Sequence, residues 1–228
     1  MTTLALAMLA FLATHFVLSH PALRPRLVAA LGEQGFAGAY SVLAMITLVA
    51  AAWAFARAPY EPLWDLGPAR YWIAMVANIA ASVLVVAGLT QKNPTMVMAS
   101  LEPADDDPAP GVLKVTRHPL MWGFGLWALG HLAVNGHVAA LILFGGLALQ
   151  ALGGTRRIDA KRTRRDPVDY ARFTAATSNI PFAAILSGRQ SIATAAAEVG
   201  VLRIGAGLLL YAVLVYAHPW IAGRAIGG

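Results

Sequence analysis

Six long runs of apolar residues limit what this chain can fold into. About 20 apolar residues of helix cross a bilayer core, where each backbone polar group must be satisfied within the segment. Leu4 to Ser19 is apolar apart from Thr14 and His15. Gly38 to Phe55 and Tyr71 to Leu89 carry no charge, and Pro119 to Val134, Val138 to Leu152 and Leu202 to Ala217 complete the set. The runs are continuous, whereas the strands of a membrane barrel alternate. The sequence thus predicts an all-α integral membrane six-helix bundle, a single domain over 1–228. Its spans fall at about residues 4–20, 38–56, 71–90, 119–135, 137–153 and 202–218. Asn135-Gly136-His137 makes a tight hairpin of the fourth and fifth. The first run lacks a basic leading region and an A-x-A site, so it reads as a span and not a cleavable signal.

Composition fits this picture. Only 12% of the 228 residues are charged and 58% are hydrophobic, against about 25% charged in a soluble domain. This excludes an ordinary cytosolic enzyme, a disordered chain and a nucleic-acid partner. The formal charge of +6 then reports orientation. With residues 154–200 inside, fourteen basic residues fall on the cytoplasmic side, among them Arg156, Arg157, Lys161, Arg162, Arg164 and Arg165. Only Arg57, Arg70 and Arg224 fall outside. The expectation is a bacterial inner-membrane protein with both termini periplasmic and a basic cytoplasmic interfacial segment. Its cations meet membrane lipid phosphates or, alternatively, an anionic substrate or a cofactor propionate. Residues 91–118, with Glu102, Asp105, Asp106, Asp107 and four prolines, read as an exposed irregular loop.

The chemistry-bearing residues are few. Cysteine is absent, which removes disulfides, thiolate metal sites and cysteine nucleophiles. No phosphate loop, HExxH or Ser-His-Asp pattern is present, and no carboxylate lies inside a span. Of the histidines, His15 and His131 lie within spans, and intramembrane ionisable residues point to function by default. Paired neutral imidazoles can hold a haem iron or another transition metal; a lone span histidine can equally donate to a backbone carbonyl. His15 and His20, five apart, face different directions, and His118 and His131, thirteen apart, lie roughly 20 Å apart along one helix. Counting along the spans also leaves His15 and His131 roughly 10 Å apart in depth. Trp122 and Trp127 read as belt or packing aromatics, or as pocket walls.

Taken together, these residues resemble the NnrU family of membrane proteins, related to the plant and algal zeta-carotene isomerase. The likeness rests on five blocks that together cover most of the chain. The first is His15 with Arg24, Leu31-Gly32-Glu33 and Tyr40-Ser41; the second is Leu63-Trp64. The third is Thr116-Arg117-His118-Pro119 with Trp127 to Leu132 and Asn135-Gly136. The fourth runs from Tyr170 to Phe173 and from Ser178 to Gln190, and the last is Ala217-His218-Pro219. The resemblance implies a membrane-held haem b that drives cis–trans isomerisation of a poly-cis carotene or similar lipophilic polyene. It places His131, and His15 or His20, as iron ligands and catalytic residues, with His118 and Arg117 as further cofactor contacts. The isomerase has a cysteine three residues before the ligand histidine. Here that position is Ala128, so a thiolate switch is absent.

Two further readings remain. One is a membrane methyltransferase similar to the isoprenylcysteine carboxyl methyltransferases, outlined by Arg117, His118 and Tyr170, with Asp159 the nearest acid. The other is a non-catalytic haem protein in nitrogen-oxide metabolism, since NnrU is associated with denitrification.

Overall fold

Helix satisfies backbone polar groups locally, and each apolar run adopts it. The computed structural model describes residues 1–96 and 107–223. Among the described residues are α1 (Thr2–Val17), α2 (Arg24–Phe55), α3 (Ala69–Thr90) and α4 (Pro119–Val134). They are followed by α5 (Val138–Arg165), α6 (Pro167–Ala176), α7 (Ala183–Leu186) and α8 (Ile192–Ala222). Glu102, Asp105, Asp106 and Arg224 lie outside the described residues.

The expected count of six is corrected to eight. The apolar runs supply α1 to α5 and α8, while the basic segment folds two more short helices, α6 and α7. Four helices, α2, α3, α5 and α8, are long and apolar enough to cross a membrane. The first and fourth, α1 and α4, are shorter at 16 residues each. The fifth run does not stop near 153: its helix continues unbroken to Arg165, because straight-chain arginines and lysines are good helix formers.

Two helices outrun the bilayer, and glycine trims them. Gly32 in α2 has φ 73° and ψ 163°, and Gly200 in α8 has φ 76° and ψ 154°. That backbone region is essentially reserved for glycine. Past these breaks, 33–55 and 201–222 each run about 33–35 Å, a close match to the hydrocarbon core.

Packing sets the directions. Leu4 clusters with Ala54 and Ala139, a Cβ at Gly146 would meet Met8, and one at Gly153 would touch Phe16. Thus α1 and α5 run parallel. In the middle, α3 packs closely on α4 and α8, with Gly123 against Val85, Gly130 against Asn78, and Gly207 against Val83. Small residues permit this close approach between membrane helices. The main core joins Met8, Phe11, Ala51, Ala128, Ala140, Leu143, Phe144 and Ala148. Leu143 and Phe144 lie in a π-helical turn, Leu141–Gly145, inside α5.

The outer surface is apolar. Val42, Met45, Ile46 and Val49 of α2, and Trp72, Ile73 and Val76 of α3, are exposed, as lipid-facing side chains should be. Trp53, Tyr60, Trp72, Tyr216 and Trp220 are exposed at one end, like the aromatic belt of a membrane interface. The basic residues of late α5 and early α2 lie at the other. The first residues of α1 and the last of α8 both fall at the aromatic end.

The loop before α4 is also corrected where it is described. Lys114 is buried, with its Nζ donating to Asp107, to the Ala109 carbonyl at 3.0 Å and to Glu198 at 2.9 Å. The Gly111 N–H meets Glu198 at 2.6 Å, and the Val112 N–H meets Gln91 at 2.9 Å. Residues 111–114 are thereby tied to α3 and α8 and buried, while Asp107 and Pro110 stay exposed.

Candidate functional site: a polar node and two oriented imidazoles

Pro119 opens α4, and His118 is its N-cap residue, which places the Thr116-Arg117-His118 stretch against late α5. Here Asp159 gathers the donors. Arg117 pairs with it in bidentate fashion, Nε to Oδ1 at 3.0 Å and Nη2 to Oδ2 at 2.6 Å. His118 Nε2 lies 2.7 Å from Oδ1, and the Tyr170 hydroxyl of α6 donates to the same oxygen. Charge-assisted bidentate pairs are among the stronger hydrogen bonds. The phenol of Tyr170 is raised well above its ordinary value by burial, reinforced by the Asp159 carboxylate. His118 is 1% exposed, and its Nδ1 is buried without a partner.

A second layer locks this node. Thr116 Oγ1 donates to the Asn179 carbonyl at 2.6 Å, and the Arg117 N–H to the Ser178 carbonyl at 2.9 Å. Asn179 Nδ2 reaches Thr155 at 2.9 Å, and Trp122 Nε1 reaches Asn179 at 3.3 Å. Arg189 and Gln190 donate to the carbonyls of Ala175, Ala176 and Thr177, satisfying the last carbonyls of α6. Residues far apart in sequence, from Thr116 to Gln190, therefore form one polar unit at the basic end.

The two span histidines share a different feature. His15 Nδ1 is 2.9 Å from the Phe11 carbonyl, and His131 Nδ1 is 2.8 Å from the Trp127 carbonyl. A carbonyl only accepts, so Nδ1 carries a proton in each, which makes Nε2 the lone-pair nitrogen of a neutral ring. Donation to a backbone carbonyl is what a span histidine without a ligand role does, and it is equally the arrangement found behind metal-ligating imidazoles. Aromatic rings hold both in place: Phe11 and Tyr40 flank His15, while Trp127 and Phe144 flank His131.

The Cα atoms of the two span histidines lie at different levels of the bundle. Phe11 and Ala128 share the main core, and α1 and α4 run in opposite directions. His15 lies four residues beyond Phe11 and His131 three beyond Ala128, so their Cα atoms stand about 10 Å apart along the bundle, and each ring, bonded to the carbonyl one turn back, leans toward the level of the other. His20 is exposed in the turn after α1, where its Nδ1 accepts from the Ala22 N–H at 3.3 Å. Arg117 and His118 do meet, on Asp159. Each span imidazole presents an Nε2 that would be able to hold a haem iron. Among the described residues, no cluster of three or more metal-binding side chains is present.

Sequence reasoning gave Asp159 only the place of nearest acid in the methyltransferase outline, and assigned no role to Asn179 or Phe144. For Asp159 a faint signal existed: it is a solitary acid in a helical segment otherwise rich in Arg and Lys. Nothing local marked Asn179 or Phe144, whose roles depend on partners at least thirteen residues away. Trp122 packs on the core beside Leu84 and Val112, whereas Phe124 and Trp127 are exposed.

A 15-cis-zeta-carotene isomerase, chloroplastic, from Arabidopsis thaliana is 38% identical over 80 residues, covering 35% of this chain and 22% of the relative. The protein of the same name from Zea mays is 34% identical over 82 residues, covering 36% of this chain and 22% of the relative. The chain thus matches about a fifth of the length of each. No solved structure matches. The family model described as NnrU protein matches residues 3–225. With nearly its whole length covered, this chain belongs to the NnrU protein family.

Proposed function

We propose that this membrane protein binds haem b and acts as a cis–trans isomerase on a poly-cis carotene or a similar lipophilic polyene. The observation carrying the proposal is the orientation of His15 and His131, each spending its Nδ1 proton on a backbone carbonyl and presenting Nε2. The names of the two relatives give the reaction its direction. A bound haem supplies iron able to donate electron density into a π bond and ease rotation about it.

The chain's own part is to hold and to shield. His131 would hold the group, its ring fixed by the Trp127 carbonyl and by Phe144. His15 is the other imidazole with a free Nε2, and one histidine is enough for haem. Phe124 and Trp127 share a face of α4 with His131 and are exposed, giving a long polyene an apolar surface reached from lipid. Ala128 is fully buried against the core, so a small apolar side chain stands where the isomerase has its cysteine. The expected setting is a bacterial inner membrane with the basic end in the cytoplasm and both termini periplasmic.

A pyridine haemochrome assay on wild type, His15→Ala, His20→Ala, His118→Ala and His131→Ala tests the assignment. Haem is lost in His131→Ala and retained in His20→Ala. Full haem in His131→Ala overturns the ligand assignment, and a haem-supplied wild type without a Soret band overturns haem binding. Haem without conversion in cells that accumulate poly-cis carotene favours the non-catalytic role in nitrogen-oxide metabolism.

One observation bears on the methyltransferase reading: Arg117, His118 and Tyr170 converge. All three, however, are spent on Asp159. Calorimetric binding of S-adenosylmethionine would favour that alternative.

A further inference from the structure

The face of α5 turned toward α1 carries Gly146, Gln150, Gly153, Arg157 and Lys161, spaced three or four residues apart on one stripe. Met8 meets this stripe at Gly146 and Phe16 meets it at Gly153. Two buried side-chain atoms on it have no partner, Gln150 Oε1 and Arg157 Nη1. An orphaned buried guanidinium N–H is costly, and it asks for an acceptor that the chain does not supply. The Arg157 guanidinium is also held in place, 4.8 Å over the Phe16 ring. Tyr40 of α2 lies within electrostatic reach of Arg157, and its ring packs on His15 at 5.5 Å.

One turn further on, the charge is heavily positive. Lys161 lies in the field of Arg24, Arg162 and Arg165. Nearby acids only partly offset this: Glu33 is held by Arg24 at 2.7 Å, and Asp166 lies 3.7 Å from Arg165. The corner between α1, α2 and α5 thus combines a half-buried, aromatic-backed guanidinium, its Nη1 unpaired, with a cationic mouth at the basic end. Apolar helix surface extends from it toward the bilayer centre.

We infer that this corner binds the oxyanion headgroup of a membrane amphiphile, with Arg157 as its principal contact and Tyr40 beside it. The shared chemistry is a charged oxygen acceptor on an apolar body. Its source is either the phosphate of an anionic phospholipid or the carboxylate of an amphiphilic cofactor. The inference stands on the orphaned guanidinium and not on haem binding.

The test compares wild type, Arg157→Gln, Arg157→Lys and the exposed control Arg164→Gln. Each is titrated in neutral detergent with phosphatidylglycerol or phosphatidylcholine, and thermal unfolding and native mass spectrometry are followed. Wild type should gain several degrees from phosphatidylglycerol alone and retain the lipid in the gas phase. Arg157→Gln should lose most of that gain, Arg157→Lys should keep part of it, and Arg164→Gln should behave as wild type. Haem retention is read in the same variants without added lipid. Loss of haem in Arg157→Gln with lipid discrimination intact identifies the carboxylate as the source. Equal response to both lipids, together with unchanged haem retention in Arg157→Gln, overturns the site. So does an equal loss in Arg164→Gln, which would make the effect one of surface charge. Because the lipid arm contains no haem, failure of the site and failure of haem binding give different results.

Discussion

Asp159 shows how much one side chain can organise. It accepts from an arginine, a histidine and a tyrosine that lie 42, 41 and 11 residues away in sequence. Removing the charge of a largely buried ion pair strands its partner, so Asp159→Asn should cost about 2–4 kcal/mol. Thermal or urea unfolding in detergent measures this, and an unchanged midpoint would contradict a structural node. Tyr170 offers a pH signature. Burial and the Asp159 carboxylate raise its phenol in the folded state, so the fold binds more protons than the unfolded chain above about pH 10. The stabilisation is therefore complete below that pH and declines as pH rises toward the folded value. Ultraviolet titration should find one tyrosine ionising late, and Tyr170→Phe should abolish both that phase and the associated loss of stability.

Helices here are shaped by where they are interrupted. Gly32 and Gly200 separate short arms from segments of membrane length, using a backbone region closed to other residues. Gly32→Ala or Gly200→Ala should each cost about 1–3 kcal/mol. Gly154 lies in regular helix with open space at its Cβ, so Gly154→Ala should be stabilising by about 0.5–1 kcal/mol. Midpoints of denaturation that fall equally for all three would remove the distinction between a break and an ordinary helical glycine. The apolar runs and their helical state were legible in the sequence, and the helix ends were less so. The polar node on late α5 depends on Arg117 and Tyr170 meeting Asp159. The tethering of 111–114 depends on Glu198 and Gln91. Neither partner is near in sequence, so no local pattern announces either contact.

Over the whole molecule, the two ends differ in chemistry. One carries exposed tryptophans and tyrosines, and the other carries most of the arginines and lysines. The absence of cysteine makes single-cysteine labelling clean. Cysteines placed at Thr3 and Ala222 should react from one side of the membrane, and cysteines at Arg164 and Ser187 from the other. In intact cells only the first pair should be accessible to an impermeant maleimide. Labelling of Thr3 and Ala222 from opposite sides would contradict the shared location of the chain's two ends.

The sequence by itself determined that the chain is helical and membrane-bound, which runs are apolar, and that its charge is asymmetric. Those properties follow from hydrophobic length and local backbone hydrogen bonding, which depend on neighbouring residues alone. It also marked His15, His131, Arg117 and His118 as unusual. Only the tertiary structure decided that Arg117 and His118 are spent on Asp159, and which aromatic rings pack on His15 and His131. It alone left Arg157 with an unmet donor. These outcomes depend on which helices pack together and in which direction, and the free energy of such contacts is set across distances in sequence that no local pattern spans.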